Sequence, residues 1–445
     1  MVIDLLLYMA RAGGGGSGGD GGGGIIFGLP FAIAMVAARF VRKKTESRGA
    51  GFAVGMIAAV LTAVLYLLAG WLWMIIALIA GLAGAVAGAT SDVLRRFRKN
   101  SQAARAVLQQ AAMTDSAWNE QGILQYASAV FYRFQYDWSR MDVASIQQYT
   151  TTHYANHVGL MLYAMREMGR ANIVDDPKIT EMVITSAYDS ADNSQDRVSV
   201  GIVASANDKI LDVRENKALH TDTNEFGEQW NFVRTERGWL LDSIEQATED
   251  PYRFIPALRQ FADSQRMYFS PDWGRLLLPT KGQLFQRGFA QSDVNNHIIG
   301  FWAGNMGNIV VQLYTYHAPD IHNNQKINAY LVGQVALPKS YGGILVRRRK
   351  GIFDRFSAPL NYKTIKLEWA DFHKRYNVYA TDKEHITSFE LLNPAFMAWL
   401  YDRQLQVDIE VADNVVYLYA KVGEGEQRYA EMMEVLQRAY KELER

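Results

Sequence analysis

The stretch "GEQWNFVRTERGWLLDSIEQA" (227–247) decides the fold of the soluble part of the chain. Its apolar residues alternate. Trp230 and Phe232 share one face, Thr235-Glu236-Arg237-Gly238 supplies a turn, and 239–244 runs back. That is a β-hairpin with a covered face. Upstream, 179–188 and 197–206 have the same period, the second with Val198, Val200, Ile202 and Ala204 on one side. Further upstream the period becomes helical. Ile123, Tyr126, Ala127, Val130, Phe131, Phe134 and Trp138 form one apolar face, and Tyr154, Val158, Met161, Leu162 and Met165 form another. Asp142, ahead of Val143-Ala144-Ser145, is a cap between them. Helices followed by an antiparallel meander predict an α+β cone, a curved sheet wrapped over helices.

This order of elements, closing in 227–247, resembles the nuclear-transport-factor-two-like fold. Within it, "AVFYRFQYDWSRMDVASIQQYTTTHYANHVGLML" (129–162) resembles the Tim-forty-four-like domain. That is the C-terminal domain of the peripheral motor-anchoring subunit of the mitochondrial inner-membrane translocase, and it has many bacterial relatives. The resemblance covers 105–247. It implies membrane-associated binding of a protein partner or lipid rather than catalysis. A cone can also leave an apolar pocket at its wide end. Tyr126, Phe134, Met161, Met165 and Trp230 are the candidate lining, although such residues serve first as core.

The head of the chain has a different character. "RAGGGGSGGDGGGG" (11–24) has neither the Lys-Ser/Thr nor the preceding strand that a phosphate-binding loop needs, so 1–24 reads as a glycine-rich spacer segment. Ala10-Arg11-Ala12 resembles a small-x-small cleavage site, which leaves open whether 1–12 ends a clipped signal peptide. The region 25–92 then holds apolar runs at 25–41, 52–68 and 71–89. Each approaches the roughly 20 residues needed to span a bilayer. One long tilted helix over 52–89 is the alternative to a hairpin. Basic groups follow the first run (42–48) and the last (Arg95, Arg96, Arg98, Lys99). The positive-inside rule places both in the cytoplasm, with the N-terminus outside and the soluble domains inside a multi-pass cell-membrane protein. The four basic residues are also candidate lipid-headgroup contacts. Ala80, Gly84 and Gly88 form a small-residue helix-packing stripe, within the hairpin or between protomers of a homo-oligomer. Residues 1–100 carry ten Lys/Arg against four acids, yet the whole chain has a formal net charge of zero. Membrane lipids are therefore expected partners and nucleic acid is not.

A second α+β domain is expected over 257–445. Apolar alternation recurs at 308–316, 328–336, 344–348 and 362–368, with a hairpin at 407–420 and a charged terminal helix at 426–444. A helix pair broken by Pro394 is expected over 382–403. "EWADFHKRYNVYATDKEHITSFELLNPAFMAWLYD" (368–402) is similar to a bacterial domain of unknown function found beside membrane spans. The chain has no cysteine, which removes thiolate metal sites and cysteine nucleophiles. His153 and His157 have metal-ligand spacing but no evident third ligand. Asp371, His373 and Asp382 could imitate an acid–base set, but no G-x-S-x-G elbow accompanies them. The run Arg347–Lys350, with Arg355, reads more readily as a solvated loop than as a lipid contact. No cofactor, metal or catalytic residue is expected. The reading is a membrane-anchored, non-enzymatic adaptor for an unidentified protein partner, in protein translocation or envelope organisation. Lipid or small-ligand binding in the cone pocket is second, and hydrolysis in the C-terminal domain is third.

Overall fold

The computed structural model describes residues 33–42, 48–66, 92–247, 256–273, 275–285, 293–302, 309–319, 327–349, 361–381, 390–422 and 427–444. The protein is α+β, with helices and two antiparallel sheets. Two compact units are present. The first holds Met1–Tyr136, Val174–Asp208 and Asp222–Thr248; the second holds Asp137–Ile173, Lys209–Thr221 and Glu249–Arg445. Among the described residues no helix is long and apolar enough to cross a membrane. The apolar runs at 25–41 and 52–68 are described in part, while 1–24 and 71–89 lie outside the described residues.

The first sheet comprises β1 (Arg170–Tyr188), β2 (Arg197–Asp212), β3 (Lys217–Asp222), β4 (Phe226–Thr235) and β5 (Gly238–Gln246), in the order β1-β2-β4-β5 with β3 on β2. The turn after Thr235 closes with Gly238 at φ +92°, where a side chain would be strained. Trp230 and Phe232 are both buried on the face that meets helix Glu120–Ser139. Phe131 and Phe134 of that helix lie 5.4 and 5.6 Å from the Trp230 ring, edge-on or tilted, as aromatic quadrupoles favour. Asp142 caps the short helix Val143–Ile146 by accepting from the Ser145 N–H, as its place in the sequence predicts.

The opposite sheet face is also covered, which the alternation of β2 does not reveal. Helix Asp92–Ala111 begins ahead of residue 105 and lays Leu94 and Phe97 on Val203. Two glycines make room for it. A Cβ at Gly201 would stand 2.6 Å from the Phe97 ring, and one at Gly227 would stand 2.6 Å from Val93. β2 is consequently buried on both sides over 200–204.

The second unit is built on nine strands in the order β11-β12-β10-β13-β14-β9-β8-β7-β6. They are β6 (Tyr268–Asp272), β7 (Asp293–Phe301), β8 (Val310–Pro319), β9 (Ile327–Ala336), β10 (Gly343–Arg348), β11 (Lys363–Ile365), β12 (Tyr376–Ala380), β13 (Asp408–Ala412) and β14 (Val415–Lys421). One face carries Leu313, Leu331, Val346, Ile409 and Leu418, and packs with residues of helices Pro256–Ser264, Pro394–Arg403 and Gln427–Glu444. The helical segments expected on either side of Pro394 are both present, residues 390–391 before it and Pro394–Arg403 after it, and Pro394 starts the second. It occupies the first turn, where its missing N–H costs nothing, and Asn393 caps by accepting from the Phe396 N–H. Three strands escape the sequence reading. β6 is short, β12 follows helix Ala370–Arg375 directly, and β7 buries Asn295, Asn296 and His297, which hide its apolar period.

Two outcomes follow from the double coverage. Phe97→Ala should lower stability by about 3–5 kcal/mol in chemical denaturation, the usual cost of emptying an aromatic site. A fragment 105–247 lacks Leu94 and Phe97, and it strips helix Thr152–Glu167 from the second unit. It should melt without cooperativity in calorimetry, whereas 92–445 melts cooperatively.

Candidate functional site

Three places in the described chain hold chemistry beyond packing. The first is a pair of apolar helices, residues 33–42 and Arg48–Tyr66. Small residues let them approach: Ala34 and Ala59 are fully buried against Met56, and a Cβ at Gly51 would meet the Ala38 carbonyl at 2.8 Å. The Thr62 hydroxyl donates back to the Ala58 and Ala59 carbonyls, so its polarity is satisfied within its own helix. The outward faces are apolar and open: Phe40 is 68% exposed, Phe52 40%, Ile57 59%, Val60 48% and Leu61 63%.

The second is the start of helix Asp92–Ala111, with its four basic residues. Arg98 grips the Glu181 carboxylate with two bonds, Nε at 2.7 Å and Nη2 at 2.9 Å. The Arg98 guanidinium is exposed, so the pair is screened and contributes little beyond fixing geometry. Arg96 donates to the Ala247 carbonyl at 3.0 Å. Lys99 is exposed. Arg96 and Arg98 are thus engaged by groups of the first unit.

The expected pocket residues divide between the units. Phe134 and Trp230 pack on each other and Tyr126 lies 6.0 Å from Phe232, all in the first unit, while Met161 and Met165 are fully buried in the second. An open groove of about 630 Å3 instead runs beside Glu120, Gln121, Leu124, Gln125, Ser128 and Met182. Ala80, Gly84 and Gly88 lie outside the described residues.

The third place is the polar interior of the second unit. His157 is buried and stacks on Tyr268 at 5.1 Å, with His153 5.0 Å from the same ring. Burial pushes the His157 imidazole down to about 3, aided by His297, His153 and Arg259. His297 falls to about 4 through burial, opposed by its bond with Gln312 at 3.1 Å. Among the described residues no cluster of three or more metal-ligating side chains occurs. On the far side of the sheet, the Glu410 carboxylate is almost wholly buried. It accepts from the Gln283 N–H at 2.8 Å and the Tyr419 hydroxyl at 2.7 Å. Burial raises its pKa, while Tyr419, Gln283 and Arg347 pull it back. Arg170 is buried near Tyr417 and Tyr314, and burial lowers it to about 10.

Arg347 and Arg348 are not loop residues; they belong to β10. Arg347 is buried under the Tyr379 ring, and the Arg348 N–H donates to Asp408. Alternation in 344–348 continues through the basic run, because the strand reaches Arg348. Lys350 and Arg355 lie outside the described residues. Nε2 of His373 accepts from the Leu367 N–H at 2.7 Å, and Asp371 pairs with Lys374, so these two do not form an acid–base couple. Asp382 lies outside the described residues. Glu410 escapes the sequence reading because a carboxylate alternating with Ile409 and Val411 looks solvent-facing. The available signal is Tyr417 and Tyr419, which lie opposite Glu410 and Asp408 in the hairpin.

No family model matches the chain, and no curated protein does. Three solved structures align with it distantly. The mycobacterial trehalose monomycolate transport factor A, TtfA, is 8% identical with a TM-score of 0.31, over 42% of this chain and 92% of that one. The intermembrane-space region of the chloroplast protein ARC6 is 14% identical with a TM-score of 0.23, over 28% and 95%. An Ntf2-like protein involved in plasmid conjugation is 10% identical with a TM-score of 0.20, over 52% and 92%. Scores this low assign no role to this chain.

The buried histidines set an acid limit. Both folded values lie below 5 and the unfolded value near 6.5, so the unfolded chain binds protons first as pH falls. Their stabilisation is complete above about pH 6.5 and is lost below it, by about 2 kcal/mol per histidine between pH 7 and 5. Urea denaturation at the two pH values should show His157→Phe losing less than the parent chain. Glu410 has the opposite sign. Its folded pKa is raised, so its contribution declines as pH climbs above the ordinary glutamate range. Glu410→Gln should therefore gain on the parent chain between pH 4 and 8 in the same assay.

Proposed function

We propose that the protein is a membrane-anchored, non-enzymatic adaptor. Its first α+β unit, read as a Tim-forty-four-like cone of the nuclear-transport-factor-two-like class, binds a protein partner or the membrane surface from the cytoplasm. The role is in protein translocation or envelope organisation. The observation that carries the reading is the open apolar face of helices 33–42 and 48–66. Five large hydrophobic side chains are 40–68% exposed on one small helical pair. A contiguous open apolar face marks a membrane or protein-interaction surface. The apolar sequence at 25–41, 52–68 and 71–89 supports three crossings, with the N-terminus outside.

The engagement of His373 and Asp371 with neighbouring groups supports a binding role over a catalytic one. A second reading, lipid or small-ligand binding, is favoured by the groove along Leu124 and Met182. The absence of native cysteine gives a clean topology test. Single cysteines at Ser17 and at exposed Asn100 meet an impermeant maleimide before and after cell lysis. Ser17→Cys should label on intact cells and Asn100→Cys only after lysis. Labelling of both from the same side would overturn the three-span arrangement.

A further inference from the structure

The second unit concentrates positive charge at one end of its sheet. Residues 347–375 carry nine Lys/Arg against three acids, in a chain whose formal net charge is zero. We infer that the open edge of the nine-stranded sheet, at β11, takes up an extended acidic segment of a partner protein as an added strand. The inference concerns the second unit alone and does not depend on the anchor.

The topology brings this charge to a strand edge. β11 ends the strand order, with β12 beside it and β10 next. Lys363 pairs with Ala380 and Ile365 with Val378, and among the described residues no strand lies on the outer side of β11. Ile365 is buried, whereas Lys363, Thr364 and Lys366 are exposed. Beyond the pairing with β12, no hydrogen bond or ion pair engages these three among the described residues. Other cations of the run are taken by the fold. Arg347 is buried under the Tyr379 ring, Arg375 lies 3.8 Å over the Tyr401 ring, and Lys374 pairs with Asp371. Arg349 is exposed, and its Nε donates to the Asn377 side chain at 3.1 Å. Its guanidinium therefore lies over β12, one strand spacing or about 4.8 Å from β11. Lys363, Lys366 and Arg349 have no carboxylate partner among the described residues.

Two features choose the occupant. An open strand edge presents both N–H and C=O groups, and another peptide backbone satisfies both at once. Phosphates of nucleic acid or lipid offer acceptors only. Charge then selects among strands. Like charges across a strand pair repel, so the lysines oppose a second copy of β11. A strand with carboxylates opposite Lys363 and Lys366 instead gains two cross-strand pairs. The two lysines stand three residues apart, so the acids of the incoming segment need the same spacing. Arg349 adds a third positive charge beside them.

The test titrates the full chain, in zwitterionic nanodiscs, with a fluorescein-labelled peptide, Thr-Val-Glu-Thr-Val-Glu-Thr-Val, followed by anisotropy. One comparison peptide has Lys for each Glu. A second keeps the acids but has alternate backbone amides methylated, which removes strand donors and leaves the charge. The acidic peptide should bind, more weakly as salt is raised. Lys363→Glu with Lys366→Glu should weaken it about tenfold, as two attractive pairs become repulsive. The Lys peptide should then bind this double variant and not the parent chain, which also shows that the variant is folded. The methylated peptide should not bind either protein. Absence of binding by the acidic peptide, or equal binding to the double variant, overturns the site. Equal binding by the methylated peptide overturns strand addition. Tighter binding of an equally charged oligonucleotide or of anionic vesicles overturns the acidic protein segment as occupant.

Discussion

The Phe97 ring lies over Gly201 because that residue has no side chain, and the organisation of the first unit follows from this contact. A five-stranded sheet with one face on helix Glu120–Ser139 would leave Gly201, Val203 and Gly227 open to water. Helix Asp92–Ala111 closes that face. Burying Leu94 and Phe97 there is worth about 1.5–3 kcal/mol each. Once Phe97 is seated, the next residue, Arg98, is placed over β1, and its paired bonds to Glu181 fix the helix across the strands. Helix Asp92–Ala111 is therefore an integral part of the fold of the first unit.

This changes how the basic cluster is understood. In sequence, Arg95, Arg96, Arg98 and Lys99 look like one electrostatic patch. In the structure they alternate around a helix, and two of them are drawn onto the sheet. A salt bridge as exposed as Arg98–Glu181 gives orientation more than energy.

The sequence was legible wherever one face of an element meets water. The 227–247 hairpin, the Asp142 cap, the 408–421 hairpin and the terminal helix all have that character, and pattern alone places them. It failed where both faces are covered. The alternation of β2 shows Val198, Val200 and Ile202, but nothing in it shows that Gly201 receives Phe97. In β13, Glu410 reads as outward because carboxylates usually are. It is buried because Tyr417 and Tyr419 line the same face and segment 276–285 closes over it. Periodicity marks Tyr126, Phe134, Met161, Met165 and Trp230 as apolar or aromatic, but it cannot show that Met161 and Met165 fall in a different compact unit from the other three.

The two units keep their buried polar groups by different means. In the first, charge is paired with charge: Arg234 lies between Asp115 and Asp196. The Arg234 guanidinium holds the Asp115 carboxyl below the usual carboxylate range, so that pairing is insensitive to modest changes in pH near neutrality. In the second, the polar interior is held neutral. His157 and His297 are uncharged imidazoles, and Glu410 is a carboxylate pushed toward its protonated form. Histidine protonation in the unfolded chain bounds this arrangement on the acid side, and the raised pKa of Glu410 weighs against it as pH climbs above the ordinary glutamate range, so the polar interior of the second unit is pH-sensitive from both directions.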